Sequence, residues 1–348
     1  MTGTALQKLL ERRDLTREEA RDLLAHAFTG SVTEAELAGI LIALKMKGEA
    51  VEELVGFAQA MRAAVSDIGL GNGAVPVPCV DTCGTGGSAR QIFNVSTAAA
   101  IVAAGAGAPV AKHGNRSNSS VCGSADVFEA LGVNLEYPAS ALGECLRQVG
   151  LVFLYAPLLH GSMRHVGPVR KALKVRTVFN LLGPLTNPAG ATAQVVGVSA
   201  MELIPVMAEA LLRLGTRHSF VVRSEDGLGE FSTTGSNRVA EIHDGRVRQY
   251  RLAARDVGLE PAALPDLACD SKAEAIAMVQ AVLDGQRGAP RDIVCFNAAA
   301  TLIAHGSAAD WKSGLEQARR AIDSGAARAK LNALAAYTSG EMRGAGPQ

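Results

Sequence analysis

The sequence predicts an α/β protein in which a mostly parallel central sheet, flanked by helices, is joined to a smaller all-α domain. Residues 1–68 show apolar residues at helical spacing, whereas short β-rich runs alternate with helical stretches from about residue 73 onward. Such alternation favours a parallel sheet with crossover helices. The length of 348 residues suits one large domain together with a smaller one.

The N-terminal region is predicted to be helical because helix-start signals precede its apolar patterns. Thr16 with Glu19, and Thr33 with Glu36, have the spacing of capping boxes. After the second box, large apolar residues recur at helical spacing: Leu37, Ile40, Leu41 and Leu44. We therefore expect an α-helical domain over residues 1–70.

The remainder of the chain is predicted to alternate between strands and helices. The predicted strands are 77–80, 109–112, 151–155, 194–198 and 219–222, and the predicted helices are 96–105, 124–131, 139–148 and 201–214. Asp244-Gly245 between two β-rich runs predicts a hairpin. The tail after residue 271 is predicted to be mainly helical.

A second helical segment interrupts the large domain at about residues 160–188. We expect this insert to leave the sheet and pack on the N-terminal helices. The large α/β domain would then consist of residues 73–159 and 189–345.

Charge and cysteine content restrict the functional class. Thirty-four basic and 34 acidic residues give zero formal net charge, which argues against general nucleic-acid binding but leaves room for a local basic pocket. The six cysteines show no CxxC pair and no zinc-type spacing, as is typical of reduced cytosolic thiols. The N-terminus shows no signal region, and the longest apolar stretch is too short to span a bilayer. We expect a cytoplasmic protein with no nucleic-acid or membrane partner.

The most informative motif is the glycine-rich segment Asp81–Ser88, which reads DTCGTGGS. Three glycines among residues 84–87 allow backbone N–H groups to approach an anion closely. The segment follows a predicted strand and precedes a helix, which places it at the carboxyl edge of a parallel sheet. It has neither the Walker nor the Rossmann spacing, so a plain structural turn remains the alternative.

Two polar segments follow the glycine turn. Asn94-Val95-Ser96-Thr97 opens an apolar run, so Ser96 or Thr97 is a candidate N-cap, a role compatible with binding a phosphate or metal. Residues 112–120 read KHGNRSNSS directly after a predicted strand. Lys112 with the asparagines and serines behind it suits a phosphate and ribose site, and an ordinary surface loop is the alternative.

These motifs, together with residues 123–126 (GSAD), 129–132 (EALG) and 176–188 (RTVFNLLGPLTNP), closely resemble the anthranilate phosphoribosyltransferase family. The resemblance covers about residues 5–340. It implies a nucleoside phosphorylase/phosphoribosyltransferase-like fold with hinged domains, and a homodimer formed through the helical domains. It also implies a reaction of tryptophan biosynthesis. The amine of anthranilate displaces pyrophosphate from C1 of phosphoribosyl pyrophosphate in the presence of Mg²⁺, giving N-(5-phosphoribosyl)anthranilate.

The resemblance also implies the roles of individual residues. Those expected to bind phosphoribosyl pyrophosphate are Gly84, Thr85, Gly86, Gly87, Asn94, Ser96, Thr97, Lys112 and Ser124. Those expected to line the anthranilate site are Gly84, His113, Asn115, Ala156, His160, Met163, Arg170 and Gly183. Lys112 and Arg170 are expected to be catalytic, Ser96 and Glu230 to bind metal, and no general base is required. The other basic residues of the insert are expected to be surface charge: Arg164, Lys171, Lys174 and Arg176.

The sequence departs from the family pattern near the metal site. Position 88 is serine where aspartate is common, and Gly229 replaces the aspartate of an adjacent Asp-Glu pair. We therefore expect magnesium at Glu230 with weakened binding at a second position, where Asp226 is a candidate substitute. Arg223 stands where histidine is common.

Three other functions are considered. The first is a phosphoribosyltransferase of the same fold that uses another aromatic amine. The second is a pyrimidine nucleoside phosphorylase, which would need a different phosphate and base signature. The third is a non-enzymatic paralogue that binds nucleic acid, which the zero net charge disfavours.

Overall fold

A computed structural model describes residues 2–70, 78–87, 90–117 and 121–341. The strands are β1 (Val80–Gly84), β2 (Val110–Gly114), β3 (Leu151–Tyr155), β4 (Ala193–Gly197), β5 (His218–Ser224), β6 (Asn237–His243) and β7 (Arg246–Leu252). Within the described residues they form one sheet in the order β3-β2-β1-β4-β5-β6-β7. The first five strands run parallel, and the β6–β7 hairpin adds antiparallel at one edge. The predicted fold class and hairpin are confirmed.

Strands β1 and β2 are longer at their carboxyl ends than predicted. Asp81–Gly84 belongs to β1 and pairs with β4 as far as Gly84 with Gly197, so the turn itself begins at Thr85. Likewise Lys112, expected to end its strand, is followed by His113 and Gly114 in β2. Polar residues and glycine have weak strand propensity, but pairing to neighbouring strands overrides that preference here.

Fifteen α-helices complete the described fold. In the N-terminal region they are α1 (Thr2–Leu10), α2 (Arg17–Phe28), α3 (Glu34–Lys47) and α4 (Val51–Ala63). The central helices are α5 (Val95–Gly105), α6 (Ser124–Ala130), α7 (Leu142–Val149), α8 (Ala156–Leu159), α9 (Gly167–Leu173), α10 (Phe179–Leu182) and α11 (Leu203–Arg213). The C-terminal helices are α12 (Lys272–Leu283), α13 (Ala289–His305), α14 (Trp311–Asp323) and α15 (Ala326–Ser339). Both predicted capping boxes form, at Thr16 and Thr33.

Two apolar clusters lie on opposite faces of the sheet. Successive side chains of a strand point to opposite faces, and β4 follows this rule because Val195 belongs to one cluster and Val196 to the other. The first cluster joins the sheet to α5, α7 and the C-terminal helices. The second joins it to α11, the N-terminal helices and the insert.

The insert packs on the N-terminal helices, as predicted. Val166, Val169 and Val178 are buried in the same cluster as Leu37 and Leu54. Helices drawn from two distant segments of the chain therefore share the apolar cluster on one face of the sheet. The domain boundaries given above remain a prediction.

An aromatic cluster packs around Phe220 of β5. Trp311, the only tryptophan of the chain, has ring centroids 5.2 Å from Phe231, 5.3 Å from Phe296 and 5.9 Å from Phe220. Phe231 is fully buried. None of the helices in the described ranges is long and apolar enough to cross a membrane.

Candidate active site

Lys112 is the middle residue of β2, and its side chain reaches Thr82 on the neighbouring strand β1. Its side chain is buried, and its ammonium donates to the carbonyl and hydroxyl of Thr82 and lies 3.4 Å from Oγ of Ser96. Burial lowers the pKa of Lys112, and the nearby carboxylate of Asp81 opposes that shift. These contacts fix the position of the Lys112 ammonium group between β1, β2 and α5.

Asp81 fixes the geometry around Lys112. One carboxylate oxygen accepts the backbone N–H of His113 at 3.1 Å, and the other accepts Nδ2 of Asn187 at 2.8 Å. Burial raises the pKa of Asp81, although Lys112 lowers it. This fully buried carboxylate joins β1 and β2 to the last residues of the insert, so we assign it a positioning role.

The glycine turn begins directly after β1. Gly86 and Gly87 have φ values of 65° and 75°, a region that strongly favours glycine. The Thr85 hydroxyl accepts the backbone N–H of Ser199 at 3.0 Å, which holds the turn against the end of β4. Ser88 lies outside the described residues, as do residues 118–120 of the second polar segment.

The start of α5 differs from the prediction. The N-cap residue is Asn94, and its side chain makes no capping hydrogen bond. Ser96 and Thr97 lie within the first helical turn, so the N-cap role expected for one of them is wrong. Among the described residues, Oδ1 of Asn94 and Oγ1 of Thr97 are buried without a hydrogen-bond partner. The start of α5 therefore retains two buried polar atoms that no described group satisfies.

A cleft of about 610 Å³ brings nearly all predicted site residues together. It is lined by Gly84, Thr85, Gly86, Gly87, Asn94, Ser96, Lys112, His113, Asn115, Ser124, Ala156, His160, Met163, Arg170, Gly183 and Glu230. Thr97 is the exception, because it is fully buried within α5 and does not line the cleft. The volume is ample for two small substrates.

The end of the cleft next to the insert combines buried imidazoles with an arginine. Nε2 of His160 lies 3.1 Å from Nε2 of His113, whose Nδ1 lies 3.2 Å from the carbonyl oxygen of Gly183. Burial lowers the pKa of His113 to about 3 and of His160 to about 4. Arg170 on α9 lies over the ring of Phe179, 5.1 Å from its centroid. This region therefore holds one fixed cation and two neutral rings, which suits a small aromatic acid.

Glu230 is the acidic residue that lines the cleft away from the insert. The residue as a whole is half-buried, but its Oε2 is buried and has no hydrogen-bond partner among the described residues. Burial of the carboxyl, together with repulsion from Asp226, raises the pKa of Glu230 to about 7. An unpartnered buried carboxylate oxygen is a suitable ligand for a hard cation such as Mg²⁺.

Asp226 does not compensate for the missing carboxylate at Gly229. Its carboxylate accepts the backbone N–H of Leu228 at 2.9 Å and the hydroxyls of Ser232 and Thr234. These contacts keep the group within its own loop, and it does not line the cleft. No cluster of three or more metal-ligating side chains occurs in the described part of the chain.

Comparison with known proteins identifies the family. The glycosyl transferase family a/b domain matches residues 77–328, and its helical bundle domain matches residues 4–65. The chain is 46% identical over 337 residues to the anthranilate phosphoribosyltransferase of Moorella thermoacetica, covering 97% of this chain and 98% of that protein. The chain belongs to the anthranilate phosphoribosyltransferase family. The Anaeromyxobacter dehalogenans member is 47% identical and covers 97% of this chain and 99% of that protein.

Solved structures of other anthranilate phosphoribosyltransferases have the same fold. The Thermus thermophilus enzyme superposes with a TM-score of 0.89 at 42% identity, covering 96% of this chain and 99% of that one. The Saccharomyces cerevisiae enzyme in complex with PRPP and Mg superposes with a TM-score of 0.87 at 27% identity, covering 97% of this chain and 98% of that one. These comparisons support the main functional hypothesis and give no support to the alternatives.

Two arginines of this anthranilate phosphoribosyltransferase family member, which the sequence analysis did not place at the site, lie in the cleft or next to it. Arg176, expected on the surface, is half-buried in the cleft and donates to the carbonyl of Thr85 at 2.8 Å. Arg223 is buried, with 8% exposure, behind the glycine turn. Nothing in the local sequence separates Arg176 from exposed Lys174, because the distinction depends on which face of the insert meets the turn.

Proposed function

We propose that the cleft transfers the 5-phosphoribosyl group from phosphoribosyl pyrophosphate to the amine of anthranilate, releasing pyrophosphate. One observation carries the proposal. A buried lysine, a glycine turn with positive φ values and a carboxylate lie at one end of a continuous cleft, and an arginine beside neutral imidazoles lies at the other. The first end suits a diphosphate with its metal ion, and the second suits an aromatic carboxylate.

The leaving group determines the electrostatic task. As the bond between C1 and the diphosphate oxygen breaks, positive charge develops on the sugar and negative charge on pyrophosphate. Lys112, the backbone amides of Gly86 and Gly87, and the start of α5 supply fixed positive charge and N–H donors for that oxygen. Because Asp81 and Thr82 hold Lys112 in place, little reorganisation is needed during the reaction.

The acceptor is oriented from the insert. Arg170 donates to the carboxylate of anthranilate, and the neutral rings of His113 and His160 form a polar wall that carries no competing charge. The arylamine is then held facing C1, and its proton is lost to water or to the departing phosphate. Catalysis depends on positioning and charge stabilisation, so no side chain acts as a general base.

Glu230 and Ser96 are the residues proposed to hold magnesium. Both line the cleft beside Lys112, and the partnerless oxygen of Glu230 supports the assignment. Mg²⁺ keeps several waters and uses substrate phosphates as ligands, so one protein carboxylate is sufficient. When bound, the ion adds positive charge against the diphosphate oxygens.

The proposal includes the assembly and location of the protein. Leu10 on α1 and Met46 on α3 are 66% and 70% exposed, an apolar surface that supports a homodimer formed through the N-terminal helices. The buried free thiols of Cys79, Cys145 and Cys295 support a reducing, cytoplasmic location.

The deciding experiment follows anthranilate consumption by fluorescence with phosphoribosyl pyrophosphate and Mg²⁺. The expected result is turnover that requires both substrates and falls strongly in Arg170→Ala. A panel of other aminobenzoates serves as control. Preferential use of a different aromatic amine would overturn the proposed acceptor, and absence of turnover with any of them would overturn the proposed reaction.

A further inference from the structure

Arg223 is a buried cation to which the proposed mechanism assigns no role. It lies on β5, and its Nη1 donates to the carbonyl oxygen of Val198 at 3.1 Å, its one side-chain hydrogen bond among the described residues. No ion pair within the described residues includes Arg223, although its charge attracts the carboxylate of Glu230 and lowers the pKa of that group against the larger effect of burial. By contrast Arg238, its register partner on β6, pairs with Glu225 at 3.7 Å. A guanidinium has five N–H donors, so most donors of Arg223 are available to another acceptor.

The side chain faces a small cavity that adjoins the main cleft. This cavity, about 180 Å³, is lined by Arg223 and Gly229 among others. Gly84, Gly86 and Glu230 line both the cavity and the cleft. The guanidinium therefore lies behind the glycine turn, on the same side of the cleft as the proposed diphosphate position.

We propose that Arg223 is a further pyrophosphate-binding residue, whose guanidinium donates to diphosphate oxygens through the small cavity. The inference rests on the proposed function, because it assigns a contact to the leaving group of that reaction. The planar guanidinium is the side chain best suited to phosphate oxygens. Glu230 has the same sign of charge as a diphosphate, so in this cavity Arg223 supplies the attraction.

The arrangement has a consequence for the metal requirement. The position next to Glu230 is Gly229, so the second carboxylate that the family resemblance led us to expect is absent. A permanently charged side chain lines the same cavity. A fixed cation here binds the diphosphate without any divalent ion. We therefore infer that this protein retains measurable affinity for pyrophosphate when magnesium is removed.

The test is calorimetric titration of the full-length protein with inorganic pyrophosphate, in EDTA and in excess Mg²⁺. Arg223→Gln is expected to weaken binding in EDTA by about 10-fold to 100-fold, the size of effect of a charged hydrogen bond. Arg223→Lys keeps the charge and is expected to retain most of the affinity. Arg238→Gln is the matched control, because Arg238 lies opposite Arg223 but is exposed, and its affinity should equal that of wild type.

Equal affinity of wild type and Arg223→Gln in EDTA would overturn the inference. If Arg223→Gln does not fold, Gly229→Asp provides a second test. A Cβ at Gly229 meets no atom closer than 3.4 Å, and its φ is not positive. The added carboxylate should weaken metal-free binding and make binding depend more steeply on magnesium, and unchanged metal-free binding would again overturn the inference.

The proposed function is tested separately by anthranilate turnover. A wild-type protein that binds pyrophosphate through Arg223 but does not consume anthranilate would refute the function and leave the contact standing. If anthranilate turnover is normal but Arg223→Gln binds pyrophosphate as tightly as wild type, the proposed contact is refuted and the proposed function is not.

Discussion

His113 and His160 form a neutral hydrogen-bonded pair in the wall of the cleft, with their Nε2 atoms 3.1 Å apart. The carbonyl of Gly183 can only accept, so Nδ1 of His113 carries the proton of that ring. Nε2 of His113 is then an acceptor, and Nε2 of His160 is the donor. These hydrogen bonds fix the tautomer of each ring. Protonating either ring would add charge to a buried site.

The pair predicts a loss of stability in acid. Both folded pKa values, about 3 and about 4, lie below the ordinary value of 6.5, so the unfolded state binds more protons as the pH falls below 6.5. The free energy of unfolding should therefore decrease from pH 7 to pH 5, by about 2 kcal/mol for each histidine. Urea unfolding should show that the free energy of unfolding decreases less between pH 7 and pH 5 in His160→Gln than in wild type. An unchanged decrease would contradict the assignment, and exposed His26→Gln is the control.

Arg170 is predicted to determine affinity for the aromatic acid. Arg170→Ala should raise KM for anthranilate by about 10-fold to 100-fold, because a carboxylate loses its charged hydrogen bonds. KM for phosphoribosyl pyrophosphate should change much less. Steady-state kinetics with each substrate varied in turn measures both values. Exposed Lys171→Ala is the control, and equal effects on both KM values would contradict the assignment.

Lys112 is predicted to act mainly in the transition state. Lys112→Gln should lower kcat by about 100-fold to 1,000-fold, comparable to removing a donor from an oxyanion site. Circular dichroism and thermal melting establish that the variant is folded, and exposed Lys174→Gln provides the comparison. A variant with normal kcat would show that the buried ammonium has a structural role only.

Arg176 and Gly87 are predicted to act together on the glycine turn. Arg176→Gln removes the hydrogen bond to Thr85, whereas Gly87→Ala would place a methyl group 2.2 Å from Nη1 of Arg176 at a positive φ. Each change should raise KM for phosphoribosyl pyrophosphate by about tenfold or more, because the turn is displaced. In the double variant, the rise in this KM should be smaller than the product of the two single rises, since both changes affect one contact. Fully multiplicative effects would indicate independent roles.

Glu230 is predicted to couple magnesium to stability. In wild type, Mg²⁺ with pyrophosphate should raise the melting temperature, because a ligand that binds only the folded state stabilises it. Glu230→Gln should lose the magnesium-dependent part of this shift. Without ligands the variant should melt no lower than wild type, because the buried Oε2 has no partner to lose. A magnesium-dependent shift of wild-type size in the variant would place the ion elsewhere.

Local patterns predicted the elements better than their ends. The capping boxes, the strand at residues 151–155 and the hairpin at Asp244-Gly245 each depend on neighbours in sequence, and the structure confirms them. The ends of β1 and β2 were missed because glycine and lysine become strand residues only through pairing with other strands. The positions of Arg176, Arg223 and Asp226 likewise depend on contacts between distant segments, which residue type alone does not reveal.

The position of Trp311 gives the protein an intrinsic optical probe. The indole packs on Phe231, the residue directly after Glu230, with their ring centroids 5.2 Å apart. A shift of the Glu230 backbone is therefore transmitted to the indole through one side chain. Because the chain has a single tryptophan, we expect its emission spectrum to respond when a ligand occupies the proposed metal position at Glu230, without a label.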